Sequence, residues 1–464
     1  MPSAILATIP AEKILILSAL AIFDTPVSET YFPSFAKVVK SHAPQMQTFQ
    51  VRAELDEIVK QGLAQRVGKA EAAGPQLCKE VKMAVLRQMH QEKSLAAWIK
   101  QMYIILRESG LDRNWRLQNV DFYRREALYA ALSSFPDACA TWLDHFYSDA
   151  SVIGNEFADL WFCHAEAQEL FTAMSVPVQV TILTSFLFHA WRRGLPADMA
   201  YEYACQLAHQ QLGRGELQAL LEQICWQALA RGKFVEFDHF HQLLKQASLT
   251  VFDAILAGMR GDFVLANSLF EAFLKAMRSE AGKRKMALPG FGGLVYTVIL
   301  LAKNDQPSMK RAKEQIDEGS SQSLSSAYFL LQPLLQYLQN GKTAEFSGMA
   351  NFAATNVDFL FASLARYWAD SESNKDLQLN LRNARDRYRK NSYTWLAAEF
   401  DVVCMRMFDE PSVLPDWHAG HQFVALADAV QKQAGWQRAL GALLQLKSES
   451  TSVSTAEARI VWLL

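Results

Sequence analysis

Glycine and proline are scarce, at 21 and 14 of 464 residues. Chains built from many short strands need such residues at every turn, so a turn-rich β-sandwich or barrel is disfavoured and long helices are expected. An excess of one charge is also lacking, because 46 Lys and Arg face 48 Asp and Glu. That balance removes any global field for steering onto nucleic acid or an acidic membrane surface, so such contacts must come from local patches. Six cysteines (Cys78, Cys139, Cys163, Cys205, Cys225, Cys404) never fall in paired spacing. They read as reduced thiols of a cytoplasmic protein rather than a disulfide or zinc framework. No apolar run approaches the roughly 18 residues of a membrane span. Ile14 to Phe23 is apolar and contains Ala19-Leu20-Ala21, yet Glu12 and Lys13 precede it with nothing basic upstream. It reads as a buried helix, not a secretion signal. What the chain has in quantity is apolar residues, 50% of the total, which supplies a real core and excludes a disordered protein.

Residues 1–92 predict a winged helix-turn-helix domain. Ala11 to Phe23 is an apolar helix, and a second helix runs through Tyr31, Phe35, Val38 and Val39 until Pro44 interrupts. A third extends from Thr48 to Lys60 with Val51, Leu55, Ile58 and Val59 on one side. Gly62 suits a left-handed cap. Leu63 to Val67 alternates like a strand, Gly68 to Pro75 is the expected hairpin tip, and Glu80 to Met89 is a closing helix. Such a module usually sets its third helix in the DNA major groove, which makes Arg52, Lys60, Arg66 and Lys69 candidate nucleic-acid contacts. Glu54, Asp56 and Glu57 share that helix and would be repelled by phosphates. A protein-contacting wing domain is therefore at least as strong an expectation as a DNA reader, with a plain packing role as the default.

Beyond it, residues 93–215 read as a helical domain that begins a solenoid, and 216–447 as tetratricopeptide-like repeats. The spacing of Phe263, Ala266, Phe270, Phe273 and Met277 marks one helical face, as does that of Leu377, Leu381, Ala384 and Tyr388. A third such series is Leu396, Phe400, Val403 and Met407. Arg231-Gly232-Lys233-Phe234-Val235 returns 29 positions on as Arg260-Gly261-Asp262-Phe263-Val264. Each copy would turn a helical hairpin, and such hairpins must stack to bury their apolar faces. The fold class expected is mainly α: a winged helix, then an α-solenoid, then a short strand. Residues 448–464 read as a linker and the start of that strand, belonging to a following domain of a longer polypeptide, because Arg459 to Leu464 would otherwise leave a bare apolar edge.

Motifs for chemistry fail one by one. Gly341-Lys342-Thr343 lacks the glycine a phosphate loop requires five positions earlier, where Gln336 stands. In Met405 to Glu410 an arginine interrupts the apolar run before the acidic pair, and the segment reads as a helix end. Gly290-Phe291-Gly292-Gly293 has Val295 at the last position of a dinucleotide fingerprint and reads as an interhelical loop. His239 and His241 point apart on a helix, while His418 and His421 have no further ligands near them in sequence. His164-Ala165-Glu166 lacks the cysteine pair of a zinc deaminase. No catalytic residue, metal or cofactor is expected in this chain. The densest basic stretch offers Arg382, Arg385, Arg389 and Lys390 as further nucleic-acid candidates, the three arginines forming a column on one helix. A solvated outer face, with Arg382–Asp386 and Asp386–Lys390 pairs, explains the same pattern.

Several strings resemble the region preceding the motor in bacterial Swi/Snf-family DNA-dependent ATPases. They are Arg260-Gly261-Asp262 with the helix after it, Gly282-Lys283-Arg284-Lys285 with Leu288-Pro289, and Ser392-Tyr393-Thr394-Trp395-Leu396-Ala397-Ala398-Glu399. Gly435-Trp436-Gln437-Arg438-Ala439-Leu440 and Ala458 to Leu464 are similar to two further blocks. The resemblance covers about residues 230–464. It implies that the whole protein couples ATP hydrolysis to movement along DNA, while this chain, without the nucleotide-binding motifs, regulates the motor or recruits a partner. The partners it implies are the motor of the same polypeptide, duplex DNA and a protein held by the solenoid, with no membrane, in the cytoplasm or at the nucleoid. The competing expectation is a complete adaptor or transcription regulator of the same architecture.

Overall fold

Few helix breakers should give long helices, and the computed structural model is mainly helical. It describes residues 6, 8–68, 73–111, 119–148, 160–162, 165–247, 250–259, 262–303, 305–321, 375–408 and 413, with 328, 329, 331, 332, 335, 336, 357, 359 and 360 between the last stretches. The chain divides into two compact units, Met1–His189 with Ala197–Leu220, and Ala190–Pro196 with Leu221–Leu464. Among the described residues, no helix is long and apolar enough to cross a membrane.

The first unit is organised around α1 (Ala11–Phe23), which is buried without interruption from Ile16 to Phe23. Such a helix must be surrounded, and α2 (Phe32–His42), α3 (Thr48–Lys60), β2 (Gly74–Leu77), α4 (Lys79–Gln91) and α5 (Leu95–Glu108) all pack against it. Gln47 and Gln50 close a reciprocal capping box at the start of α3, satisfying donors that a helix start leaves bare. At its far end Gly62 takes φ +71°, and the chain turns into β1 (Ala64–Val67). This strand pairs antiparallel with β2, from Ala64 opposite Leu77 to Val67 opposite Gly74. The expected hairpin tip therefore ends before Gly74 rather than at Pro75. Glycine is required there, because a Cβ would strike the carbonyl of Val27, a residue held close by its backbone N–H donating to Pro75 O at 3.0 Å. Further along come α6 (Asn119–Leu132), α7 (Pro136–Ser148) and α8 (Ala165–Thr172). After α9 (Val176–Arg193), this unit resumes with α10 (Asp198–Ala208) and the opening of α11 (Arg214–Arg231).

A cluster of aromatic rings forms the heart of the second unit. Trp191 at the end of α9 stacks on Trp226 of α11 at 4.9 Å, and Phe291 meets both edge-on at 5.6 and 5.8 Å. Gly232, at φ +70°, turns the chain from α11 into α12 (Phe234–Ala247). There follow α13 (Phe252–Met259), α14 (Phe263–Ala281), α15 (Gly290–Lys303) and α16 (Gln306–Ser321). Neighbours pack in sequence: α13 on α14, α14 on α15, α15 on α16, and α13 also on α15. Phe234 and Phe263, the fourth residues of the two copies of the repeated string, each open a helix, while Arg260 and Gly261 lie outside the described residues. Asp262 Oδ1 accepts from Leu265 N–H at 3.0 Å, and Asp305 Oδ1 from Ser308 N–H at 2.7 Å. The same acidic cap thus starts α14 and α16.

Gly290-Phe291-Gly292-Gly293 is not an interhelical loop but the first turn of α15. Gly290 takes φ +61° with open space where a Cβ would stand, whereas Gly292 and Gly293 serve close packing. A Cβ on Gly293 would collide with Leu288 O and the Tyr328 hydroxyl, and one on Gly292 with Val251. Helices α17 (Lys375–Lys390) and α18 (Thr394–Phe408) pack on each other.

Candidate nucleic-acid interface

On α3 the buried residues Val51, Leu55 and Ile58 turn the intervening side chains outward. Each described cation on this face meets a carboxylate. Arg52 donates through both terminal nitrogens to Glu29, at 2.7 and 2.8 Å, and its guanidinium lies 4.2 Å from the Phe32 ring centre. The hydrogen bond to Glu29 holds the Arg52 pKa above its usual value and the Glu29 carboxyl below its own. Arg66 on β1 donates to Asp56 at 2.7 Å, and Lys60 lies 3.8 Å from Glu57. Lys13 of α1 lies 3.6 Å from Glu54. The carboxylates that would repel phosphate in the sequence are here the partners of the cations that would bind it. Phe49, 72% exposed, stands alone at the first turn of α3. Lys69 lies outside the described residues.

The arginine column on α17 is not continuous. Arg382, Arg389 and Lys390 are exposed, but Arg385 is 6% exposed and turned inward. It donates through Nη1 to Asp401 Oδ1 at 3.2 Å and through Nε to Asp386 Oδ1 at 3.1 Å. Burial works against its charge, and the bond to Asp386 with the charges of Asp386 and Asp401 outweighs it, so its pKa is raised. The physical reason lies in the spacing. Position 385 adjoins Ala384 and lies between Leu381 and Tyr388, all fully buried, and Asp401, itself fully buried, needs a counter-charge there. Arg385 is thus an ion-pair member, turned away from the solvent that Arg382, Arg389 and Lys390 face.

Met405 to Phe408 finish α18, while Asp409, Glu410, Gly341-Lys342-Thr343, His164, His418 and His421 lie outside the described residues. His239 is exposed on α12, and His241 is buried with Nε2 at 3.1 Å from Thr250 Oγ1 and 3.7 Å from Asp253 Oδ1. Burial holds its pKa below the ordinary histidine value. Among the described residues, no three His, Cys, Asp or Glu side chains gather as a metal-binding group.

Two polar clusters escaped the sequence reading. In the first unit Asp24, at φ +46° after α1, accepts from Lys82 Nζ at 2.5 Å and pairs with Arg124 at 3.1 Å. All three are buried. Burial pushes the Asp24 carboxyl up, yet the charges of Arg124, Lys82 and Arg125 together hold it below its usual range. Burial also pushes the Lys82 ammonium down to about 8. In the second unit the α17–α18 corner receives the end of α9. Asn391 Nδ2 donates to Gly194 O at 2.7 Å, Tyr393 to Leu195 O at 2.8 Å, and Tyr388 to Arg192 O. The aspartate after an apolar helix and the Tyr-Arg-Lys-Asn-Ser-Tyr run were the available signals, but nothing local to either string names a partner so distant in sequence.

No family model, curated protein or solved structure matches the chain.

Proposed function

We propose that this chain is the non-catalytic, partner-binding region of a Swi/Snf-like DNA translocase. In this reading its front domain is a winged helix whose α3 face meets protein rather than DNA, and the helical pairs of the second unit form tetratricopeptide-like repeats. The observation that carries the α3 assignment is the closure of charge on that face. A groove-reading helix needs cations available to phosphate, whereas Arg52, Lys60 and Arg66 each have a carboxylate within the same small domain. An interface without net charge and with an exposed aromatic anchor, Phe49, suits a protein surface better. Linking such a region to a motor raises the motor's effective concentration at the bound partner.

The test is duplex binding by the whole chain carrying Arg52→Ala and Arg66→Ala, followed by fluorescence anisotropy. Affinity within twofold of the unsubstituted chain is expected, and a tenfold loss would return α3 to the DNA. The non-catalytic role is tested separately, because DNA-stimulated ATP hydrolysis by this chain alone would overturn it.

A further inference from the structure

Lys283, Arg284 and Lys285 follow α14, and all three are exposed. None of their side chains has a carboxylate or hydrogen-bond acceptor among the described residues, which sets them apart from the cations of α3. Exposed, and without a pair among the described residues, they contribute little to folding. Three adjacent like charges also repel one another.

The backbone that carries them is pinned on both sides. Gly282, at φ +62°, ends α14 with its N–H directed to Ser279 O, and Lys283 N–H donates to Arg278 O at 3.0 Å. That arrangement is the Schellman closure of a helix. Beyond the cations Arg278 Nη2 donates to Met286 O at 2.9 Å. Leu288 N–H donates to Gln315 Oε1 at 3.0 Å, and the Tyr328 hydroxyl to Leu288 O at 2.7 Å. The three cations thus stand on a short span anchored at 282–283 and at 286–288. Glu280 is the one nearby carboxylate in sequence, against four cations counting Arg278.

We infer that this turn is a contact for the phosphate backbone of a nucleic acid. An anchored span carrying unpaired cations gives up less conformational freedom on binding than a free tail would. The alternatives fit less well. Membrane surfaces recruit basic segments together with an apolar face, and protein interfaces usually carry an aromatic or aliphatic anchor. The exposed large apolar residues of α14, Val264 and Leu265, stand at its opposite end. This inference stands apart from the role given to α3.

The experiment is a salt titration of duplex DNA binding by the whole chain, with and without Lys283→Ser, Arg284→Ser and Lys285→Ser together. Each phosphate contact contributes about 0.9 to the slope of log K against log salt. The substituted chain should therefore lose roughly 2 to 3 units of slope and bind at least tenfold more weakly at about 50 mM salt. Lys283→Arg with Lys285→Arg keeps the charge and should retain the slope. Circular dichroism unchanged from the parent establishes that both variants are folded. Failure of the parent to bind duplex at low salt would overturn the inference, as would an unchanged slope in the serine variant. Competition by poly-glutamate as effective as by duplex would also overturn it, in favour of an acidic protein. Where the parent binds duplex, the affinity expected of the Arg52 and Arg66 substitutions is the same whichever way the serine variant behaves.

Discussion

The first unit sets Asp24 between two buried cations, while the second, besides its own buried Arg385–Asp401 pair, joins distant segments with neutral hydroxyls and an amide. Asp24, Lys82 and Arg124 are all buried in the first. Their arrangement depends on ionisation, so it ties that unit's stability to pH. In the second, Tyr388, Asn391 and Tyr393 donate to three carbonyls at the end of α9, and no proton need move for those bonds to persist. The contacts of Asp24 depend on its charge and those of the three α9 carbonyls on none, so substitutions at the two places should differ in their sensitivity to acid.

The sharpest way to break this contrast is Asp24→Asn, which keeps a residue tolerant of positive φ and removes only the charge. Stripping one partner from a buried ion pair costs about 3–5 kcal/mol, so urea denaturation should show the first unit unfolding early. The same cluster gives the pH dependence its sign. Asp24 titrates below its usual range when folded, so its stabilisation is present above the unfolded carboxyl pKa and is lost as pH falls through the folded one. Lys82 titrates at about 8 when folded, against about 10.4 unfolded. Between those values the unfolded chain holds the extra proton, so this lysine's contribution rises with pH. Stability curves of the first unit that are flat in acid would refute the charge argument.

A smaller effect is expected in the second unit from Gly293→Ala, whose new methyl meets Leu288 O and the Tyr328 hydroxyl. Overpacking of this kind typically costs about 1–3 kcal/mol, read as a lower melting temperature with no change in acid dependence. Tyr393→Phe should cost about 1–2 kcal/mol by leaving Leu195 O without its donor. An acid-dependent loss there would erase the distinction between the units. Least of all, Arg52→Ala should shift stability by under about 1 kcal/mol, because its pair with Glu29 lies at the surface.

Local order was readable from the residues to a large extent. The third helix begins at Thr48 and ends at Lys60 where its periodicity and the following glycine place it. The stripe of Leu377, Leu381, Ala384 and Tyr388 is buried throughout. Periodicity reports burial of a face because water is excluded from one side of the helix only. It does not report what an individual polar side chain meets. In the sequence Arg385 therefore looks like its exposed neighbours, and its reason for turning inward is Asp401, on the next helix. The glycines at 290–293 carried an ambiguous signal for the same reason. Glycine's conformational freedom suggests a loop, and Gly290 does take φ +61°, but Gly292 and Gly293 lie inside the helix and leave clearance for Val251 and Tyr328. On α3, cations and carboxylates were visible in sequence, yet only the fold tells whether they oppose a ligand or one another.

The bond from Asn391 to Gly194 spans 197 positions. A ribosome adding about 5–20 residues per second would release Gly194 roughly 10–40 seconds before its partner is synthesised. During that interval solvent or a chaperone must hold the carbonyls at residues 192–195. Pausing translation between these positions should leave a nascent chain whose second unit is open to protease.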